Sequence, residues 1–345
     1  MSDTQKETIL PIREAREMVK DLMSPNAFIY WADFLFHVTL GWSTFFLCLK
    51  LEFFSLSQLV CFFISTFSLF RSAIFIHELT HLRKGTFAVF RTAWNFLCGF
   101  PLMIPSFLYQ GVHNDHHNVN LYGTEGDGEY FPFVTEGRLK IVVFVLISFF
   151  LPVFLFIRFV FLTPISYCHK SLRSMVLGKV SSLSIDLNYK RTRSSLNTVP
   201  MWKAQEAITC LYGWTFLFLI IQGVFPYSVF SLWFLIFGAV FFVNSLRTLV
   251  AHCYRHSGNK NLNLSEQLID SINIPESLFG ILWAPVGLRF HATHHLIPEI
   301  PYHSLGKTHR RLLEKFSEKN LYIQTSSRSL CSALKRLWKE SGNLS

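Results

Sequence analysis

Long apolar runs dominate this sequence and decide what it can fold into. Only 16% of its 345 residues are charged, against about 25% in a typical soluble domain. About 20 consecutive apolar residues span a bilayer as a helix. The sequence therefore predicts an all-α integral membrane protein and excludes a disordered chain or a small disulfide scaffold. The mainly apolar runs lie at about residues 28–49, 53–76, 86–108, 141–165, 207–224 and 227–243.

The order of these runs predicts two transmembrane helical hairpins, with about four net crossings in total. A short polar turn separates the first two runs, and the last two meet at Pro226. Pro101 interrupts the third run, which predicts an interfacial or re-entrant segment. Pro152 and Arg158 interrupt the fourth run, so we expect a kinked path without a net crossing there.

Positive charge is concentrated on one predicted side of the membrane. Residues 166–203 carry seven Lys or Arg against one Asp, and nine more Lys or Arg follow Gly306. The positive-inside rule places both segments in the cytoplasm. The net charge of +10 is explained in this way and implies no nucleic-acid partner. We expect one membrane-embedded domain over residues 1–345, with its core at about 28–310 and polar cytoplasmic ends at 1–27 and 311–345.

Ten of the fourteen histidines fall in four short clusters. Residues i, i+3 and i+4 share one face of a helix, so each cluster is expected to direct two or three imidazoles to one place. Imidazole binds Fe, Zn, Cu and Ni, and a zinc site needs only three or four protein ligands. Nine or ten imidazoles on one face therefore indicate a two-metal centre. The clusters are His77 and His81; His113, His116 and His117; His252 and His256; and His291, His294 and His295.

Nearby carboxylates suggest both a supporting role and an alternative function. Glu78, Asp115, Asp127 and Glu129 lie close enough in sequence to hydrogen-bond the outer ring nitrogens. However, residues 77–81 read HELTH, which is the zinc-protease signature with Glu78 as general base. A membrane zinc metalloprotease and a metal transporter therefore remain open at this level. His37, within the first apolar run, is expected to serve packing and not metal binding.

Three of the clusters resemble the histidine boxes of the integral-membrane fatty acid desaturase and hydroxylase superfamily. The boxes read HELTH at 77–81, HNDHH at 113–117 and HATHH at 291–295, and the resemblance covers about residues 28–310. It implies a non-haem diiron centre in a cytoplasmic cap, with one further histidine after the last crossing. The implied iron ligands are His77, His81, His113, His116, His117, His252, His291, His294 and His295.

Two positions complicate this ligand set. His256 is surplus to the nine. Thr248 stands where some acyl-CoA desaturases carry an Asn that approaches one iron through water, and Asn244 lies a further turn back.

The resemblance also implies an activity and its partners. The expected activity is O₂-dependent desaturation of a lipid-linked or thioester-linked acyl chain. A hydroxylase or ketolase of the same superfamily is the alternative. The sequence has no cytochrome b5 haem signature and no cysteine cluster for an iron–sulfur centre, so the electrons are expected from an external ferredoxin, rubredoxin or cytochrome b5. Arg310, Arg311 and Lys315 are candidate docking residues, alongside contacts with membrane lipids.

Overall fold

The computed structural model describes residues 12–83, 85–197, 199, 201–258, 262–277, 279–316 and 321–342. The regular segments among them are helical and no β-strand occurs there, which confirms the all-α prediction. The α-helices are α1 Ile12–Met18, α2 Ala27–Cys48, α3 Leu56–His81, α4 Ala88–Trp94, α5 Phe107–His116, α6 Phe133–Glu136, α7 Arg138–Ile157, α8 Thr163–Cys168, α9 Lys170–Lys179, α10 Arg193–Asn197, α11 Trp202–Ile221, α12 Tyr227–Thr248, α13 Leu264–Asp270, α14 Gly280–Trp283, α15 His291–Leu296, α16 Tyr302–Lys315, α17 Leu321–Gln324 and α18 Leu330–Glu340.

The first predicted hairpin is formed by α2 and α3. Each helix begins at a polar cap, because the side chain of Asn26 accepts a hydrogen bond from the N–H of Ile29 and that of Ser55 from the N–H of Gln58. The two helices lie in close contact at Gly41, where the hydroxyl of Ser65 donates to the Gly41 carbonyl at 2.9 Å. A Cβ at Gly41 would lie 2.7 Å from the side chain of Leu69, so only glycine permits this approach.

Four helical segments are long and apolar enough to cross a membrane: Leu56–His81, Arg138–Cys168, Trp202–Ile221 and Tyr227–Thr248. This number agrees with the predicted four crossings, but the set differs. Ala27–Cys48 is absent from it, and polar residues such as Asp33 and His37 lower its apolar character. Asp33 instead forms an ion pair with Arg71 on α3, at 2.5 Å, which fixes α2 along its partner.

The fourth apolar run forms one helical segment, Arg138–Cys168. Pro152 and a π-helical turn at Arg158–Leu162, both usual causes of a kink, interrupt its regular hydrogen bonds. Arg158 is buried there and pairs with the equally buried Glu206 of α11 at 2.6 Å. This ion pair, together with hydrogen bonds from Arg158 to the hydroxyls of Thr163 and Ser181, satisfies the buried guanidinium.

The residues before and after Arg138–Cys168 both contact the polar half of the molecule, which is the half that carries the histidine clusters. Before it, the N–H of Val134 donates to the carbonyl of Tyr254. After it, the N–H of Leu183 donates to the carbonyl of Leu108, at the start of the HNDHH helix. These contacts favour the predicted path without a net crossing, in which the chain leaves the polar half and returns to it.

The third apolar run turns back inside the bundle, as expected of a re-entrant segment. After α4 a π-helical turn at Asn95–Gly99 leads to Pro101, whose carbonyl accepts a hydrogen bond from the indole of Trp233 on α12. The indole of Trp42 on α2 donates to the carbonyl of Leu97. This segment therefore joins the two hairpins and leads directly into α5.

Candidate metal centre

The structure brings all nine histidines implied by the family resemblance to one place. His77 and His81 lie on the last turns of α3, and His113 and His116 lie on α5, with His117 at its C-terminal end. His291, His294 and His295 share α15, so the i, i+3, i+4 spacing turns all three rings inward. The ninth histidine, His252, follows the end of α12.

The nine imidazoles divide into two groups of four with one histidine between them. The possible ligand atoms within each group all lie within 4.8 Å of one another. His117 contacts both groups, because its Nε2 lies 3.0 Å from that of His294 and its ring stacks on His295 at a centroid distance of 4.5 Å. The first group is His77, His81, His113 and His294, and the second is His116, His252, His291 and His295.

Hydrogen bonds at Nδ1 determine which nitrogen of a histidine ring is free to bind a metal. The Nδ1 of His113 faces Glu129 at 2.8 Å, and that of His116 faces Asp127 at 2.9 Å. A neutral ring that donates from Nδ1 carries a lone pair on Nε2. These lone pairs point at other histidines, since the Nε2 of His113 lies 2.8 Å from that of His81. Two inward lone pairs at this distance repel each other unless one ring carries its proton on Nε2 or a cation lies between them. The convergence of two groups of four such rings fits two metal ions.

Burial keeps these imidazoles available as neutral ligands. It lowers the pKa of six of them well below the usual value, because the charged form loses its hydration. His116 differs: burial opposes its charged form, but the Asp127 carboxylate outweighs this effect and raises its pKa. A metal takes the place of the proton in such pairs, since a ligating histidine must be deprotonated at the coordinating nitrogen. The six are His113, His117, His252, His291, His294 and His295.

Carboxylates contact the histidine rings, but they are not the full set that the sequence predicts. Asp127 and Glu129 contact ring nitrogens as predicted, but Asp115 instead accepts a hydrogen bond from Tyr189 at 2.7 Å. The structure adds Asp270, which accepts from Tyr122 at 2.9 Å, while the Tyr122 hydroxyl lies 2.8 Å from the Nδ1 of His252. Burial raises the pKa of Glu129 to about 7 and that of Asp270 to about 6. Bound cations would favour the ionised form of both.

Glu78 does not act as the general base that a zinc protease would need. Its carboxylate accepts hydrogen bonds from the hydroxyl of Tyr30 and from the N–H of Tyr302. Its nearest approach to a histidine ring is 3.6 Å, from Oε1 to the Nδ1 of His77. Glu78 therefore ties α2 and α16 to the end of α3, which places His77.

The pattern His252–His256 was expected on a helix, and this expectation is wrong. α12 ends at Thr248, and His252 lies in an extended segment paired with Ser271. His256 consequently points elsewhere, packs beside Gly123 and belongs to neither group of four. His37 is also remote, with its Nδ1 2.8 Å from the carbonyl of Asp33.

An apolar cavity adjoins both groups of histidines between α3, α7 and α12. His77, His116, His252 and His291 line one end, together with the polar side chains of Asn244, Arg247 and Thr248 on α12. The walls away from the histidines are mainly apolar, although Ser148 of α7 also lines the cavity. They include Phe70, Ala73, Ile74, Leu151, Leu155, Val240 and Phe241.

Two comparisons with known proteins agree with this arrangement. Residues 53–327 match the family model described as fatty acid desaturase, a range that contains all nine histidines. The chain belongs to the fatty acid desaturase family. A ceramide hydroxylase from Caulobacter vibrioides is 38% identical to it over 328 residues, which are 95% of this chain and 93% of that protein. No solved structure matches the chain.

Membership of the desaturase family makes the chain an oxidoreductase and replaces the protease and transporter interpretations. The relative named above is a hydroxylase, which is the alternative activity that the family resemblance left open. Asp270, Tyr122 and Arg247 were not singled out from the sequence. They lie outside the three boxes, and no residue spacing connects them to the boxes.

Proposed function

We propose that this chain is an O₂-dependent hydroxylase that acts on the acyl portion of a ceramide-like lipid. The observation that carries this proposal is the 38% identity to a ceramide hydroxylase over nearly the whole of both chains. The cavity supports it, because its apolar walls suit a hydrocarbon chain and one end lies at the histidines. Desaturation is the second candidate, favoured by the family to which the chain belongs.

We propose that the nine histidines hold two iron ions. Two groups of four ligands, with His117 between them, exceed what one zinc site needs, and the family resemblance implies iron. When bound, the irons supply the activation of O₂. In the balanced reaction one oxygen atom enters a C–H bond and the other leaves as water, with two electrons from an external donor protein and two protons from the solvent.

The protein's own residues would position the reactants. Asp127 and Glu129 hold their histidine rings in one orientation through Nδ1. The apolar walls at Phe70 and Val240 would hold the hydrocarbon chain and exclude water from it. We further propose that the histidines face the cytoplasm, where the basic residues 166–203 would lie by the positive-inside rule.

A product analysis tests the activity. The protein is expressed in a bacterium supplied with ceramide, and the lipids are compared by mass spectrometry with and without O₂. We expect ceramide heavier by one oxygen atom, formed only with O₂, and about two irons per purified chain. His294→Ala should abolish the product, whereas the control His256→Ala should retain it. Ceramide lighter by two hydrogens would support desaturation instead, and one zinc without iron would contradict the diiron centre.

A further inference from the structure

An arginine lies in the cavity at the histidine end without an acidic partner. The guanidinium of Arg247 donates from Nε and Nη2 to the side-chain oxygen of Asn244, at 3.3 and 3.2 Å, and from Nη2 to the hydroxyl of Thr248 at 3.0 Å. Both acceptors are neutral and lie on the same helix. Its Nη1 donates to no group among the described residues, and the side chain lines the cavity, so this nitrogen is available to an acceptor bound there.

Arg247 is half-buried on the last turn of α12. Among the described residues, no carboxylate lies within ion-pair distance of Arg247. The positive charge of Arg247 interacts electrostatically with Glu129. The oxygens of Glu129, however, accept hydrogen bonds from Tyr109 at 2.9 Å and from His113 at 2.8 Å. Two metal ions beside the arginine would add repulsion between like charges. A bound molecule with oxygen acceptors would satisfy the free donors and offset this cost.

Polarity changes along the cavity in one direction. Val240 lies eight residues before Thr248 on α12, which is roughly 12 Å at the rise of an α-helix. Phe70 lies seven residues before His77 on α3, about 10 Å by the same measure. Both helices therefore place their apolar walls away from the histidines, while Ser182 and Ser184 add hydroxyls to the lining.

We propose that Arg247, with Asn244 and Thr248, binds the polar head group of the lipid substrate through its carbonyl and hydroxyl oxygens. The hydrocarbon chain then extends away from the histidines along Val240 and Phe70. The carbon that reaches the metal ions lies within a few bonds of the head group, and not in the middle of the chain. This inference rests on the proposed function and specifies how that site selects its substrate and the position of oxidation.

The test uses the full-length, iron-loaded protein with N-palmitoyl ceramide and a chemical electron donor. Tandem mass spectrometry locates the new hydroxyl group, which we expect close to the amide. Arg247→Gln should raise KM about tenfold or more, since a hydrogen bond from a charged donor is lost. Arg247→Lys should restore part of this loss. The control Arg255→Gln removes an exposed arginine that pairs with Glu340 outside the cavity, and should leave KM unchanged.

Measurements of iron content and of direct binding of a fluorescent ceramide distinguish failure of the head-group site from failure of the proposed function. A hydroxyl group in the middle of the chain, or an iron-loaded Arg247→Gln protein with the KM of the wild type, would overturn the head-group site. The first outcome needs only the wild-type protein, so it decides the matter even if the variant does not fold. If the wild type oxidises no ceramide, the proposed function fails. Equal ceramide binding by wild type and Arg247→Gln would then reject the head-group site independently.

Discussion

Single residues outside the nine histidines control how firmly the rings are held. Asp127 is fully buried and contacts the Nδ1 of His116, whereas the Asp115 carboxylate accepts from the hydroxyl of Tyr189. Asp127→Asn should therefore lower iron affinity by about 10–100-fold, the usual effect of losing a carboxylate behind a ligating histidine. Chelator competition measures this affinity. Asp115→Asn makes the same chemical change at a carboxylate that holds no histidine ring, and should retain wild-type affinity; equal losses in both variants would contradict this role for Asp127.

At the scale of helices, the close contact between α2 and α3 depends on Gly41, which has no side chain. Gly41→Leu would place a Cβ 2.7 Å from the side chain of Leu69 and 3.2 Å from its backbone nitrogen, so the helices must separate. We expect a loss of about 1–3 kcal/mol in the free energy of unfolding, as for other overpacked interfaces. Thermal unfolding of the purified protein measures it. Ser43→Leu adds the same side chain at an exposed position of α2 and should change little; an equally stable Gly41→Leu protein would show that the contact is not tight.

For the whole molecule, the path of Arg138–Cys168 decides on which side of the membrane residues 166–203 lie. Single-cysteine proteins, with the exposed native Cys168 replaced by Ser, can be labelled in oriented vesicles by a reagent that does not cross the membrane. We expect Asn188→Cys to label from the same side as the native Cys331, because the segment after Arg138–Cys168 contacts the histidine half of the molecule. Val224→Cys, in the turn between α11 and α12, should label from the opposite side. If Asn188→Cys is labelled from the same side as Val224→Cys, then Arg138–Cys168 makes a net crossing of the membrane.

The sequence by itself determined the features that follow from local spacing. Apolar runs of membrane length predict helices, and the i, i+3, i+4 spacing of His291, His294 and His295 turns three rings to one side of any helix that contains them. The spacing singled out ten clustered histidines, and the family resemblance implied nine of them as ligands, before their contacts were known. The same reasoning failed at His256, because α12 ends at Thr248, a turn follows at residues 249–251, and the helical spacing does not apply beyond it.

Only the tertiary structure decided which distant side chains meet. Asp270 reaches His252 through Tyr122, and Glu78 turns to Tyr30 and Tyr302 instead of to a reacting group. Arg247 could be read from the sequence as an ordinary charge at the end of a helix, but packing places it in the cavity. Spacing along one helix is fixed by covalent geometry and local hydrogen bonds, whereas contacts between helices depend on how their surfaces pack, which no local pattern specifies.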